Sequence, residues 1–303
     1  MKRILSLLAS ASLAGLSAHA RLNVVATIPD YGAIAEQIGD GKVKVTSIAR
    51  GTEDPHFVDA RPSFIRVLNQ ADVLIEGGAE LEIGWLPPLV NGARNARILA
   101  NAPGHVVLSR DIRLLDVPTS PVDRSMGDVH PLGNPHFTLD PLNGKIVARR
   151  LAETFSQLDH ANAAFFEQNL KKFNDRLDKK LIEWTSLVEP YRGTKVVTYH
   201  KSLDYLLERF GLELAATIEP KPGIEPSPSY VNSLIPKVKA QGVKLVLVEP
   251  FRPRKTPEYV AQAIGARLLI LPACVGGNEK VKDYFELFDY DLAQIVSALK
   301  QSK

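Results

Sequence analysis

Cysteine is almost missing from this chain. Its 303 residues hold one, Cys274, which excludes an intramolecular disulfide framework and any cysteine-rich zinc knuckle. A surplus of charge is missing as well: 37 basic side chains face 34 acidic ones, a formal net of +3. That balance carries no electrostatic footprint for nucleic acid, and no nucleic-acid partner is expected. There is no glycine-rich phosphate loop of the P-loop or dinucleotide type, and no Gly-x-Ser-x-Gly nucleophile elbow. Coiled-coil heptads and an obvious dimer surface are also lacking, so the expected state is a monomer. What remains is 45% hydrophobic and 23% charged, an ordinary globular composition that excludes a disordered or collagen-like chain. The length suggests two domains.

The first twenty residues read as an address. Met1-Lys2-Arg3 is a basic start, Ile4 to Leu16 is apolar and small, and Ala18-His19-Ala20 is a small-x-small cleavage pattern. The apolar stretch is too short for a bilayer span, so residues 1–20 are expected to be a signal peptide cut near Ala20-Arg21. No cysteine follows to carry a lipid anchor. Cleavage leaves 35 basic against 34 acidic side chains. With no later run long and apolar enough to span a membrane, the expected location is a bacterial periplasm.

Beyond the leader the pattern alternates strand and helix. Strands are expected at 22–27, 43–48, 73–76 and 106–108, with helices at 30–38, 62–70 and 81–89. Residues 118–135, rich in proline, glycine and aspartate, read as a loop. Residues 142–158 are amphipathic. Residues 161–187 carry Phe165, Phe166, Leu170, Phe173, Leu177 and Leu181 at helical spacing, which predicts one helix about 40 Å long. The alternation then restarts, with strands at 196–199, 212–218, 243–248 and 267–271, and helices at 202–210, 227–239, 257–264 and 283–299. The fold class expected is α/β: two similar lobes with mostly parallel sheets, 21–158 and 190–303, joined by a rigid helix within 159–189, with a cleft between them. No convincing internal sequence repeat is visible.

Open α/β sheets bind ligands beyond the carboxyl ends of their strands. His200 directly follows one expected strand and Glu249 another. His56 lies in the loop after the strand ending near Ile48, and His136 lies in Gly133-Asn134-Pro135-His136. Three imidazoles and a carboxylate can therefore meet in one cleft. Spacings of 80 and 64 positions between the histidines match no local metal motif. His105 and His160 read as surface or turn residues, His130 as a solvated loop residue able to help recruit metal, and Cys274 as a small buried thiol. Arg252, Arg254 and Lys255 read as a solvated loop.

Four segments together carry a resemblance over essentially the whole mature chain. They are Gly51-Thr52-Glu53-Asp54-Pro55-His56 with Arg61-Pro62-Ser63, then Gly133 to Pro141 (GNPHFTLDP), then Tyr199-His200-Lys201-Ser202 leading to Phe210-Gly211-Leu212-Glu213, and finally Glu225-Pro226-Ser227-Pro228 with Val248-Glu249-Pro250. In order and separation they resemble the zinc- and manganese-binding solute-binding proteins of ABC importers. The resemblance implies two α/β lobes, a long connecting helix and a metal between the lobes. It implies His56, His136 and His200 as ligands of Zn²⁺, with Mn²⁺ as the alternative cargo. Manganese-selective relatives commonly place Glu where this chain has His200, and imidazole suits zinc better than manganese. Many relatives also supply an Asp after the last strand. Here Ala273 stands at that place and cannot ligate, which leaves the fourth position open between water, Glu249 and another nearby group. The implied partner is the importer's membrane permease, with loading by a periplasmic metallochaperone left open. A three-histidine site with an open position is also the ground plan of a zinc hydrolase, but nothing in the sequence specifies its general base. A binder of an organic chelate would instead need arginine or aromatic groups lining a broad cleft.

Overall fold

A computed structural model describes residues 21–123 and 126–301; the expected signal peptide, His19 included, lies outside the described residues. Two four-stranded sheets form, and every strand pair in both is parallel. The first comprises β1 (Leu22–Ala26), β2 (Val43–Ser47), β3 (Val73–Glu76) and β4 (His105–Val107) in the order β2-β1-β3-β4. The second comprises β5 (Lys195–Thr198), β6 (Glu213–Thr217), β7 (Leu245–Val248) and β8 (Arg267–Ile270) in the order β6-β5-β7-β8. The two orders are the same permutation, a repeat of topology that leaves no legible trace in the sequence. Parallel sheets need cover on both faces, and β7, Leu-Val-Leu-Val, is buried at every position. The order reverses beside β1 and beside β5, so both crevices open at the carboxyl ends of central strands.

The helices α1 (Pro29–Gly39), α2 (Pro62–Asn69), α4 (Pro141–Leu158), α5 (Ala163–Val188), α6 (Asp204–Phe210), α7 (Pro228–Ala240), α8 (Lys255–Ile264) and α9 (Tyr284–Lys300) fall close to the expected positions. The third helix does not. The helix expected at 81–89 runs instead as α3, Leu86–Ala93, with proline in its first turn. Pro87 and Pro88 cannot sit inside a helix that starts earlier, because each lacks an N–H and crowds the preceding turn. Residues 79–85 form turns instead.

The connecting helix α5 spans 26 residues and buries Phe166, Phe173, Leu177 and Trp184. It packs on α4, α1 and α9. One apolar core runs from the first sheet through these helices to the second lobe, and a smaller one closes the second sheet under α7 and α8. The last helix, α9, packs on α1, α5 and β8, so it ties the lobes together from the far end of the chain. Asp30, in the first turn of α1, is fully buried. Its carboxylate accepts bonds from Thr138 Oγ1 at 2.8 Å and from the Val275 N–H at 2.7 Å, joining first-lobe elements to the loop after β8.

Asp291 of α9 is also fully buried, and neither of its oxygens has a partner. Burial pushes its pKa well above 3.8, with the nearby Asp30 charge adding to the shift. A carboxyl held above its unfolded pKa contributes full stability below that unfolded value and loses it as pH rises toward the folded one. Asp291→Asn is therefore expected to gain stability over the wild type between pH 5 and pH 8. The difference should widen as pH rises, read by urea unfolding at both pH values. Equal pH slopes in the two proteins would contradict this.

Candidate metal centre

Three histidines meet between the lobes. His56 sits in the loop after β2, His136 in the loop before α4, and His200 two residues past the end of β5. Their ring centroids lie 5.1 Å apart for His56–His136, 5.4 Å for His56–His200 and 5.3 Å for His136–His200. One nitrogen from each lies within 4.8 Å of the other two.

Local chemistry orients all three. Asp54-Pro55-His56 and Asn134-Pro135-His136 repeat one device. In each, the side-chain oxygen of the first residue accepts from both the backbone N–H and the ring Nδ1 of the histidine two positions on. The distances are 3.1 and 2.7 Å for Asp54 Oδ1, and 3.0 and 2.9 Å for Asn134 Oδ1. The Asx-turn and the intervening proline fix the backbone. His200 uses Glu219 instead, with Nδ1 and Oε2 2.7 Å apart. Such outer acceptors set the tautomer: Nδ1 keeps its proton and Nε2 presents its lone pair. His136 Nε2 is buried with no hydrogen-bond partner, which is costly unless an ion or a proton meets it. Burial, with His56 and His200 beside it, holds the His136 pKa well below 6.5, so the ring is neutral at neutral pH.

Arg252 joins two of the acceptors. Its Nη1 lies 3.1 Å from Asp54 Oδ2 and 3.4 Å from Glu219 Oε1, and its side chain is only 11% exposed. The solvated loop expected at 252–255 is thus corrected at Arg252: the buried Glu219 and partly buried Asp54 carboxylates draw the guanidinium in. Burial alone would raise the Asp54 pKa. The bond from His56, with Arg252 close by, outweighs that and holds it at about 2.

Glu249 is 1% exposed and its Oε2 has no partner, but it does not belong to the set of ligand atoms mutually within 4.8 Å. Its Oε1 accepts from Ser202 Oγ at 2.5 Å. His130 comes closer. Its Nε2 lies 3.2 Å from His56 Nε2, with ring centroids 5.2 Å apart. The loop residue expected to be solvated is half-buried, and burial, with His56 and His200 nearby, lowers its pKa to about 4. Cys274 lies apart from the cluster, beside Asp30, with its thiol pKa pushed well up by burial. Glu219 went unread in the sequence. The Asx-Pro-His that occurs twice in the chain is the local signal that could have marked Asp54 and Asn134 as acceptors.

Two parallel α/β lobes tied by one long helix, with oriented imidazoles in the cleft, define the class of helix-linked solute-binding proteins of ABC importers. The chain belongs to the family of the periplasmic zinc-uptake complex component A (ZnuA), whose model matches residues 24–298. It is 26% identical to the high-affinity zinc uptake system protein ZnuA of Brucella abortus, over 99% of this chain and 98% of that protein. It is 25% identical to the manganese ABC transporter substrate-binding lipoprotein PsaA of Streptococcus pneumoniae, over 92% of this chain and 89% of the other. A crystal structure of ZnuA shares its fold, with a TM-score of 0.77 at 24% identity over 92% of this chain and 99% of that one.

Proposed function

We propose that this protein captures Zn²⁺ between its lobes in the periplasm and hands it to the membrane permease of an ABC importer. The observation that carries the reading is the set of three imidazoles with one nitrogen each converging and each Nδ1 held by a side-chain oxygen. The residues fit the ion. Zinc takes neutral imidazole nitrogen at about 2.0–2.1 Å in tetrahedral geometry, and the buried, partnerless Nε2 of His136 is such a donor. In this reading His56, His136 and His200 are ligands, the cleft separates lobes 21–158 and 190–303, and residues 1–20 direct export. Capture needs no chemistry on the ion, so the protein is a binder and not an enzyme. It works as a monomer, with no nucleic-acid partner.

Manganese is the second reading, and the relative named for manganese favours it. The donor set argues the other way, because hard Mn²⁺ prefers carboxylate oxygen and the converging atoms are nitrogens. Metal-stripped protein titrated against a chromophoric chelator should bind one Zn²⁺ per chain tightly and Mn²⁺ weakly. Comparable Mn²⁺ binding would move the cargo to manganese, and no tight binding of either ion would remove the metal site.

A further inference from the structure

We propose that His130 is the fourth ligand of this centre, so that the ion is held by four imidazole nitrogens and no carboxylate. The inference rests on the metal-capture reading above.

His56 donates its Nδ1 proton to Asp54, so its Nε2 is a bare lone pair. The Nε2 of His130 lies 3.2 Å from it. At that distance the two nitrogens share either a proton, as a hydrogen bond, or a cation. Two nitrogens on one tetrahedral zinc, each at about 2.0–2.1 Å, are themselves separated by about 3.3–3.4 Å. The observed spacing is close to that edge. His130 lies outside the set of three ligand atoms that are mutually within 4.8 Å, so it adjoins the cluster on the His56 side and must move toward His136 and His200 to share one ion.

The His130 ring bonds to the backbone of Ala79. Ala79 lies in a run of three left-handed residues, Gly78, Ala79 and Glu80, with φ of 72°, 51° and 67°. Two of these are not glycine, and such backbone persists only where its surroundings impose it. Here the buried Glu82 carboxylate imposes it, accepting from Gly77 N–H at 2.8 Å, Gly78 N–H at 3.2 Å and Thr27 Oγ1 at 2.7 Å. The His130 loop is pinned to the second lobe by Asp128 N–H on the Pro222 carbonyl at 2.8 Å. On its other side Asn134 N–H bonds to the Leu115 carbonyl at 2.8 Å.

Ala273 has no ligating side-chain atom, and Glu249 offers one carboxylate oxygen bonded to Ser202 and a second, buried and partnerless, as the rival donor. Four nitrogens form a softer donor set than one that includes a carboxylate. They favour Zn²⁺, Ni²⁺ and Co²⁺ over Mn²⁺ more strongly than three nitrogens and an oxygen would.

X-ray absorption on the zinc-loaded full chain tests this directly. The expected spectrum has four nitrogen scatterers with imidazole outer shells. His130→Ala should show three nitrogens and one oxygen and bind Zn²⁺ about 100-fold more weakly in chelator competition, at the upper end of what loss of an outer-shell partner alone costs. Glu249→Gln should keep the wild-type spectrum. Three nitrogens and one oxygen in the wild type, or unchanged affinity in His130→Ala, would overturn the assignment while one-to-one zinc binding leaves the capture reading standing. A wild type that binds no zinc would overturn both. The wild-type spectrum decides the matter even if the variant folds poorly.

Discussion

Replacing His200 by alanine is expected to weaken Zn²⁺ binding by about 10²–10³-fold while the chain stays folded. A four-ligand zinc site is worth roughly 10–16 kcal/mol, so one ligand accounts for about 3–4 kcal/mol. His200 is 4% exposed and donates to the equally buried Glu219. Its removal leaves Glu219 with Arg252 as a counter-charge 3.4 Å away, so the fold does not inherit an isolated buried carboxylate. Arg252→Met provides the scale. It keeps every imidazole but frees Asp54 and Glu219 from their shared cation, and should cost about 10–100-fold in affinity. Chelator competition reads both variants, with circular dichroism to confirm the fold. An affinity for His200→Ala within a factor of two of wild type would remove it from the ligands, and a larger loss in Arg252→Met than in His200→Ala would reverse their roles.

Tyr284→Ala is expected to cost about 4 kcal/mol or more of folding stability. Tyr284 opens α9 and is fully buried. Its ring lies against the bare backbone of Gly144 in α4, where any side chain would clash with it, and packs on Phe173 and edge-on to Phe288. Its hydroxyl donates to the Thr138 carbonyl at 2.6 Å, two residues beyond His136. Truncation removes a large core side chain and leaves that carbonyl unpartnered. Tyr284→Phe separates the terms: it keeps the packing and should cost only about 1–2 kcal/mol. Urea unfolding measures both. Equal losses in the two variants would place the whole effect in the hydroxyl, and a small loss in Tyr284→Ala would mean that the lobes do not depend on this tie.

Much of this protein was legible before folding. Strand and helix positions follow from apolar periodicity, which depends only on neighbours in the chain. Pro87 and Pro88 marked the true start of α3, and the helical pattern had obscured them. His56, His136 and His200 were readable as candidates because the ends of parallel strands are where such folds bind ligands. Asp54 and Asn134, each two residues before its histidine, are a local device that the chain writes out twice.

Glu219, Arg252 and His130 depend on partners far away in sequence. Their reach is 19 positions from Glu219 to His200, and 74 from His130 to His56. A carboxylate or guanidinium with no near neighbour looks like surface in a sequence, because its burial and its counter-charge are contributed by other elements. The same holds for Asp291, whose cost comes wholly from burial. The sequence by itself determined the α/β alternation and the two lobes, which rest on local propensity, and offered three imidazoles as candidates at strand ends. Tertiary structure alone decided that Glu219 orients His200, that Arg252 joins it to Asp54 and that a fourth histidine stands 3.2 Å from His56, because desolvation and Coulomb energy depend on distances that only packing sets.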